Sequence, residues 1–200
     1  MNIDTIIFDF GGVLVDWNPR YVFQKYFDTE EEMEWFLANV CTDEWNMEQD
    51  RGRSFAEATQ MLQKQFPQYH DLIAKFYGEW EDMLKSEIPE TVEILKELSQ
   101  KYPLYGLTNW SAESIGIAYK RYDFFSLFKG IVVSGEEKLI KPEPEIYQVL
   151  LKRYNLTPEN CLFIDDNAAN IKAAQQEKIN TIQFTTPENL RKDLAKLHLL

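Results

Sequence analysis

An α/β fold, with a parallel sheet as its core and a block of helices inserted early, is predicted by three observations. Short apolar runs rich in β-branched residues recur along the chain, helical patterns separate the later runs, and one long interval carries helical patterns alone. The first run, TIIF over residues 5–8, suits a buried strand ending at Asp9. LYGLT before Asn109, GIVVS around Val132, CLFID ending at Asp165 and TIQF near Thr181 repeat the pattern. Between them ESIGIAYKRY, PEIYQVLLKRY and NIKAAQQE read as helices. Strands that alternate with helices pair in parallel, because each crossover carries the chain back to its starting edge.

From about Pro19 to Tyr102 the sequence offers no convincing strand. EEEMEWFLANV sets Met33, Phe36, Leu37 and Val40 on one side of a helix. Ser54 and Glu57 form a capping box ahead of EATQMLQKQF, each able to satisfy a free backbone N–H. Further helical patterns run from His70 to Leu84 and from Pro89 to Ser99, with Pro89 suited to a first helical turn. Residues 18–85 therefore read as a helical insertion, and residues 1–17 and 86–200 as one α/β core. Within the insertion WNMEQDRGRSF, polar and containing Gly52, is the most loop-like stretch.

The 200 residues are 44% hydrophobic, enough for one sizeable core. A formal charge of -12, from 33 acidic against 21 basic residues, argues against nucleic acid or an anionic membrane as partner. Cys41 and Cys161 make neither a disulfide framework nor a zinc pattern, which fits a reducing cytoplasmic setting. No apolar run reaches the ~20 residues of a membrane span, and a soluble protein is expected.

In an open parallel sheet ligands bind at the carboxyl ends of the strands, near the switch in strand order. The polar residues expected there are Asp9 after the first strand, Thr108 and Asn109 after the second, Lys141 after the third, and Asp165 and Asp166 after the fourth. Taken singly each has an ordinary role: Asp9 a turn residue, Thr108 and Asn109 caps for a helix near Ser111, Lys141 an exposed loop cation. Adjacent carboxylates at the end of an apolar strand repel one another unless a cation or donors offset them. Hard oxygen ligands with no nearby sulfur or imidazole favour Mg²⁺. Taken together the group can transfer phosphate, with Asp9 as nucleophile and the phosphate charge neutralised by Mg²⁺, a lysine and hydroxyl or N–H donors. Gly11 and Gly12 would let backbone N–H groups approach the phosphate oxygens and allow a strained turn.

FDFGGVLVD, GLTN, IKPEPEIY and FIDDNAAN, in that order and with the helical insertion after the first, resemble the haloacid dehalogenase (HAD) superfamily with a C1-type cap. The resemblance implies a Rossmann-like core with an inserted α-helical cap, and an aspartyl-phosphate formed on Asp9. It implies that Asp9, Asp166 and the carbonyl of Gly11 hold Mg²⁺, with Asp165 supporting the metal directly or through water. Thr108 and Lys141 would bind the transferring phosphoryl group, and Asn170 stands where many members carry an acid. Within the superfamily the sequence is similar to bacterial sugar-phosphate phosphatases of the α-D-glucose-1-phosphate phosphatase type, through D-x-G-x-V, the R-G of the insertion and D-D-N-x-x-N. The implied partner is a small phosphorylated metabolite, and a monomer or weak homodimer is expected.

The sequence departs from the family at Gly11, where most phosphatases carry a second Asp that acts as general acid–base. Loss of such a group typically costs about 10²- to 10⁴-fold in rate. Asp16, Glu48 or Asp50 could reach in to take its place, or the substrate carries a good leaving group, as anomeric sugar phosphates do. Two other readings stay open: a 2-haloacid dehalogenase using the same Asp without metal, and a protein that only binds phosphorylated ligands. The acidic pair speaks against the first and the retained nucleophile against the second.

In the insertion the stretch from Glu48 to Arg53 is the candidate specificity loop. Arg51 can bind substrate through its planar fork, or Arg51 and Arg53 can pair with acidic neighbours. Trp45 and Trp80 are read as core of the insertion rather than sugar platforms. His70 and His198 are expected at the surface.

Overall fold

The computed structural model describes residues 2–200. Seven strands are present among them: β1 (Thr5–Phe8), β2 (Val15–Trp17), β3 (Leu84–Glu87), β4 (Leu104–Thr108), β5 (Phe128–Val133), β6 (Cys161–Asp165) and β7 (Asn180–Gln183). Five form one sheet in the order β5-β4-β1-β6-β7, every pair parallel. This is the α/β core the alternating runs predict. The chain builds outward from β1 on one side, through β4 and β5, and on the other through β6 and β7. The carboxyl end of β1 therefore lies at the switch in strand order, with Asp9 as its next residue.

Alternation of side chains across the strands sorts the core into two faces. Ile6, Phe8, Leu104, Val133, Leu162 and Ile164 belong to one apolar cluster, packed with the helices Pro89–Ser99 and Pro187–Lys196. Ile7, Leu107, Val132 and Phe163 belong to the other, packed with the helices Pro144–Tyr154 and Ala168–Gln176. Strands covered on both faces must be apolar at every position, which is why they read as continuous runs rather than alternating ones.

Residues between β2 and β3 form helices, the longer ones Glu30–Asn39, Asp43–Asp50, Phe55–Gln65 and His70–Gly78. Ser54 caps the third of these, its hydroxyl accepting the Glu57 N–H at 3.2 Å. Three expectations are corrected. WNMEQDRGRSF is mostly helix, because Thr42 caps Asp43–Asp50 by accepting the Trp45 N–H and the break before the next helix is only Arg51–Ser54. The pattern from His70 to Leu84 splits at Glu79, and its last residue opens β3. β3 pairs antiparallel with β2 in a two-stranded ribbon that the sequence reading missed, since strands of three and four residues have no room for periodicity. Among the described residues no helix is long and apolar enough to cross a membrane.

Candidate active site

Three strand ends deliver the polar residues. Asp9 continues the pairing of β1 with β6, its N–H donating to the Ile164 carbonyl at 2.9 Å. Its Oδ1 accepts the Phe10 N–H at 2.7 Å and lies 2.9 Å from Lys141 Nζ. Lys141 comes from the segment after the short helix Ser134–Glu137, and its backbone is held from both sides by Asn109. The Asn109 amide donates to the Lys141 carbonyl at 2.9 Å and accepts the Lys141 N–H at 2.8 Å. This fixes the stem so that the ammonium reaches between Asp9 and Asp165, 2.7 Å from Asp165 Oδ2.

Asp165 ends β6 and is fully buried. The Asn170 amide lies 3.1 Å from each of its oxygens, and the Asn167 N–H donates to Oδ1 at 2.8 Å. An acid at position 170 would repel it; the amide supplies protons instead. Asp166 faces outward and is exposed, yet ligand oxygens of Asp9, Asp165 and Asp166 lie within 4.8 Å of one another.

Burial pushes Asp9 up to about 7, with Lys141 pulling it down and Asp165 pushing it up. Burial works against the Lys141 charge, but Asp165 and Asp9 more than offset it and hold the ammonium above its ordinary value. Asp166, exposed at its outer side, is raised, chiefly by the partial desolvation of its carboxyl and then by the Asp165 charge.

The two glycines differ. Gly12 has φ +73°, and a Cβ there would sit 2.7 Å from Asp166 Oδ2, so any other residue would be strained and would displace the Asp166 carboxylate. Gly11 has no such need: its φ lies outside the left-handed region and a Cβ would meet nothing within 4 Å. The expectation that both glycines answer to a strained turn holds for Gly12 alone. Gly11 borders a cavity of about 160 Å³ lined also by Trp17, Asn46, Asp50, Trp80, Asn109 and Trp110.

A family profile described as haloacid dehalogenase-like hydrolase matches residues 3–177. The chain belongs to this family. The haloacid dehalogenase-like hydrolase is 28% identical over 171 residues to the sesquiterpene phosphatase astK of Aspergillus oryzae, covering 84% of this chain and 83% of that one. It is 25% identical over 191 residues to the phosphorylated carbohydrates phosphatase of Thermotoga maritima, covering 90% and 84%. A further relative, the (S)-2-haloacid dehalogenase 4A of Burkholderia cepacia, is 27% identical over 105 residues, 52% of this chain and 46% of that one. Its fold is shared by a HAD family enzyme of Bacteroides thetaiotaomicron crystallised with magnesium and inorganic phosphate. That similarity has TM-score 0.69 and 24% identity, over 92% of this chain and 95% of that one.

Of the expected residues, Asp9, Lys141, Asp165 and Asp166 come together in this hydrolase. Thr108 ends β4 with a buried hydroxyl that has no hydrogen-bond partner. The helix expected near Ser111 begins at Ile115, so neither Thr108 nor Asn109 caps it. Arg51 pairs with Glu143 at 2.7 Å, two residues beyond Lys141, and Arg53 donates to Gln49 and to the Trp45 carbonyl. Asp16 accepts the Tyr21 hydroxyl at 2.7 Å in the ribbon. Glu48 is half exposed, 3.9 Å from Arg51. Trp45 packs on Phe76 and Tyr77, whereas Trp80 reaches the cavity and packs on Trp110. Trp17 and Trp110, also in the cavity wall, were not singled out by the sequence, where nothing separates them from core aromatics.

Proposed function

We propose that this hydrolase is a Mg²⁺-dependent phosphatase of small phosphorylated metabolites, sugar phosphates first among them, acting through an aspartyl-phosphate on Asp9. The observation that carries the reading is the crowding at the strand ends: three carboxyls share one buried ammonium, and when all three are ionised two negative charges are left for a cation to balance. The donors fit a hard divalent ion, since all are oxygens and Asp166 keeps its carboxylate outside the Lys141–Asn170 network. On this reading Asp9, Asp166 and the Gly11 carbonyl are the direct ligands, and Asp165, whose oxygens already accept from Lys141, Asn170 and Asn167, orients Lys141 instead. Bound Mg²⁺ would supply a Lewis acid that neutralises phosphate charge and draws the Asp9 and Asp166 carboxyls toward their ionised forms.

Asp9 attacks phosphorus through a carboxylate oxygen while Lys141 and Thr108 take up charge on the phosphoryl oxygens. Lys141 is already aimed, so little reorganisation accompanies the step. Residues 18–85 act as a helical cap on the 1–17 and 86–200 core, and the cavity shared by Asn46, Asp50 and Trp80 with Gly11, Asn109 and Trp110 supports that division. At about 160 Å³ it admits a small ligand, well under the roughly 300–1,000 Å³ of drug-sized sites. Three tryptophans beside amide and carboxyl groups suit a sugar ring. The buried, unpaired cysteines and the acidic charge fit a cytoplasmic protein, and we take it to be a monomer or weak homodimer.

The second reading, a 2-haloacid dehalogenase, is favoured by Gly11, which carries no acid, and by the dehalogenase relative. A metal-free attack on carbon has no use for Asp166 beside Asp9. The deciding experiment measures phosphate release from sugar phosphates and p-nitrophenyl phosphate with Mg²⁺ and with EDTA, and halide release from 2-chloropropionate. Metal-dependent phosphate release that disappears in Asp9→Asn is expected; metal-independent halide release would replace the reading.

A further inference from the structure

The position at which the superfamily resemblance places an acid–base group is open space here. A side chain on Gly11 would meet no obstacle, and its backbone does not demand glycine. An acidic residue of the helical insertion lines the same cavity: Asp50, the last residue of the helix Asp43–Asp50. Neither of the other two acids, Asp16 and Glu48, lines this cavity. Asp16 is occupied by Tyr21, and Glu48 lies half exposed beside Arg51.

Asp50 is also fastened to the core. Its carbonyl accepts the Ser134 hydroxyl at 2.5 Å, and the same hydroxyl accepts the Trp110 N–H at 2.8 Å. Two residues on, Gly52 approaches Gly135 so closely that a Cβ would lie 3.0 Å from its carbonyl oxygen. Arg51 is tied to Glu143, whose other oxygen accepts the Ile140 N–H at 3.2 Å. Ties on Asp50 itself and on both residues after it hold the end of this helix against the loops that carry Lys141 and Trp110. Such bracing is what a reacting group requires, because small misplacements cost large factors in rate.

We propose that Asp50 is the general acid–base of this hydrolase, supplied by the helical insertion in place of the carboxyl missing at Gly11. The proposal rests on the phosphatase reading above. As Asp9 attacks, the bond from phosphorus to the leaving oxygen breaks with its electron pair on that oxygen, and the Asp50 proton passes to it, releasing the alcohol. The Asp50 carboxylate then takes a proton from water as the water oxygen bonds to phosphorus. The bond to Asp9 breaks, its electrons return to the carboxylate, and inorganic phosphate leaves. Burial pushes the Asp50 carboxyl up to about 7, against a smaller downward pull from the Ser111 amide, which suits a group that both gives and takes a proton near neutrality.

The test compares kcat/KM of wild type and Asp50→Asn on p-nitrophenyl phosphate and on an alkyl phosphate. Nitrophenolate departs without a proton and an alkoxide does not, so the variant is expected to lose about 10²- to 10³-fold on the alkyl ester and less than about tenfold on the aryl ester. Adding Gly11→Asp to Asp50→Asn is expected to restore the alkyl reaction at least in part, since the space for that side chain is open. An equal loss on both esters, or none on either, overturns the assignment while leaving the phosphatase reading standing. A wild type that releases phosphate from neither ester takes both down.

Discussion

Lys141 Nζ lies 2.7 Å from Asp165 Oδ2, with neither side chain reached by solvent. A buried cation so placed holds two carboxylates together, since Asp9 Oδ1 is 2.9 Å from the same nitrogen. Lys141→Met keeps much of the stem and removes the charge, leaving Asp9 and Asp165 to face each other. Urea unfolding at pH 7 should show a loss of about 3–5 kcal/mol, the usual cost of stranding a buried partner. A loss under about 1 kcal/mol, as for exposed pairs, would mean the triad is not held together by this charge.

Gly12→Ala should separate the two glycines. Its φ of +73° costs an L-residue about 1–2 kcal/mol, and the new Cβ falls 2.7 Å from Asp166 Oδ2. Asp166 must swing away, so the Mg²⁺ concentration for half-maximal phosphate release should rise by about tenfold or more. Gly11→Ala, with open space around its Cβ, should leave the melting temperature close to wild type. Equal effects of the two substitutions on stability would contradict the backbone geometry.

Asp50 should make stability depend on pH independently of catalysis. Its folded pKa of about 7 lies above the ordinary 3.8, so between these values the folded state binds more protons than the unfolded one. Stability contributed by this group is therefore lost as pH rises through that window. Asn does not titrate. The advantage in unfolding free energy of Asp50→Asn over wild type should thus grow from pH 4 to pH 7 and level off above it. A difference that stays flat across this range would place Asp50 in solvent.

Trp17 borders the cavity with a buried indole N–H that has no hydrogen-bond partner. A ligand hydroxyl would satisfy it once the atoms that now cover it moved aside. Trp17→Phe should raise KM for a preferred sugar phosphate by about tenfold, the equivalent of a 1–2 kcal/mol hydrogen bond, and change KM for p-nitrophenyl phosphate much less. Because the donor is unpaired, the melting temperature should hardly fall. Equal KM shifts for both esters would assign the indole a packing role only.

Local chemistry made much of this protein readable in one dimension. Strands buried on both faces must be apolar throughout, and helices must place their apolar residues at a period of 3.6, so TIIF, LYGLT and CLFID could be told from PEIYQVLLKRY without coordinates. Asp9, Thr108, Asp165 and Asp166 were legible for the same reason, since each stands at the end of such a run, where a parallel sheet exposes its ligand-binding edge. β2 and β3 were not, because strands of three and four residues carry too little pattern.

Which side chain meets which was decided by tertiary structure. Asp165 and Asp166 look equivalent in FIDDNAAN, yet alternation across the strand end turns one inward to Lys141 and Asn170 and the other toward solvent. Asn109 looks like a cap and instead holds the peptide of Lys141, 32 residues away. Arg51, legible either as a substrate ligand or as a partner of acidic neighbours, is paired with Glu143, which lies far along the chain. The stretch around Asp50 looks like a loop and is a helix docked on Ser134 and Gly135, which sets Asp50 in the wall of the cavity beside Gly11. The physical reason is common to all four. Periodicity and capping act within a few residues, whereas burial, charge pairing and close backbone approach join segments distant in sequence and exist only once the chain has packed.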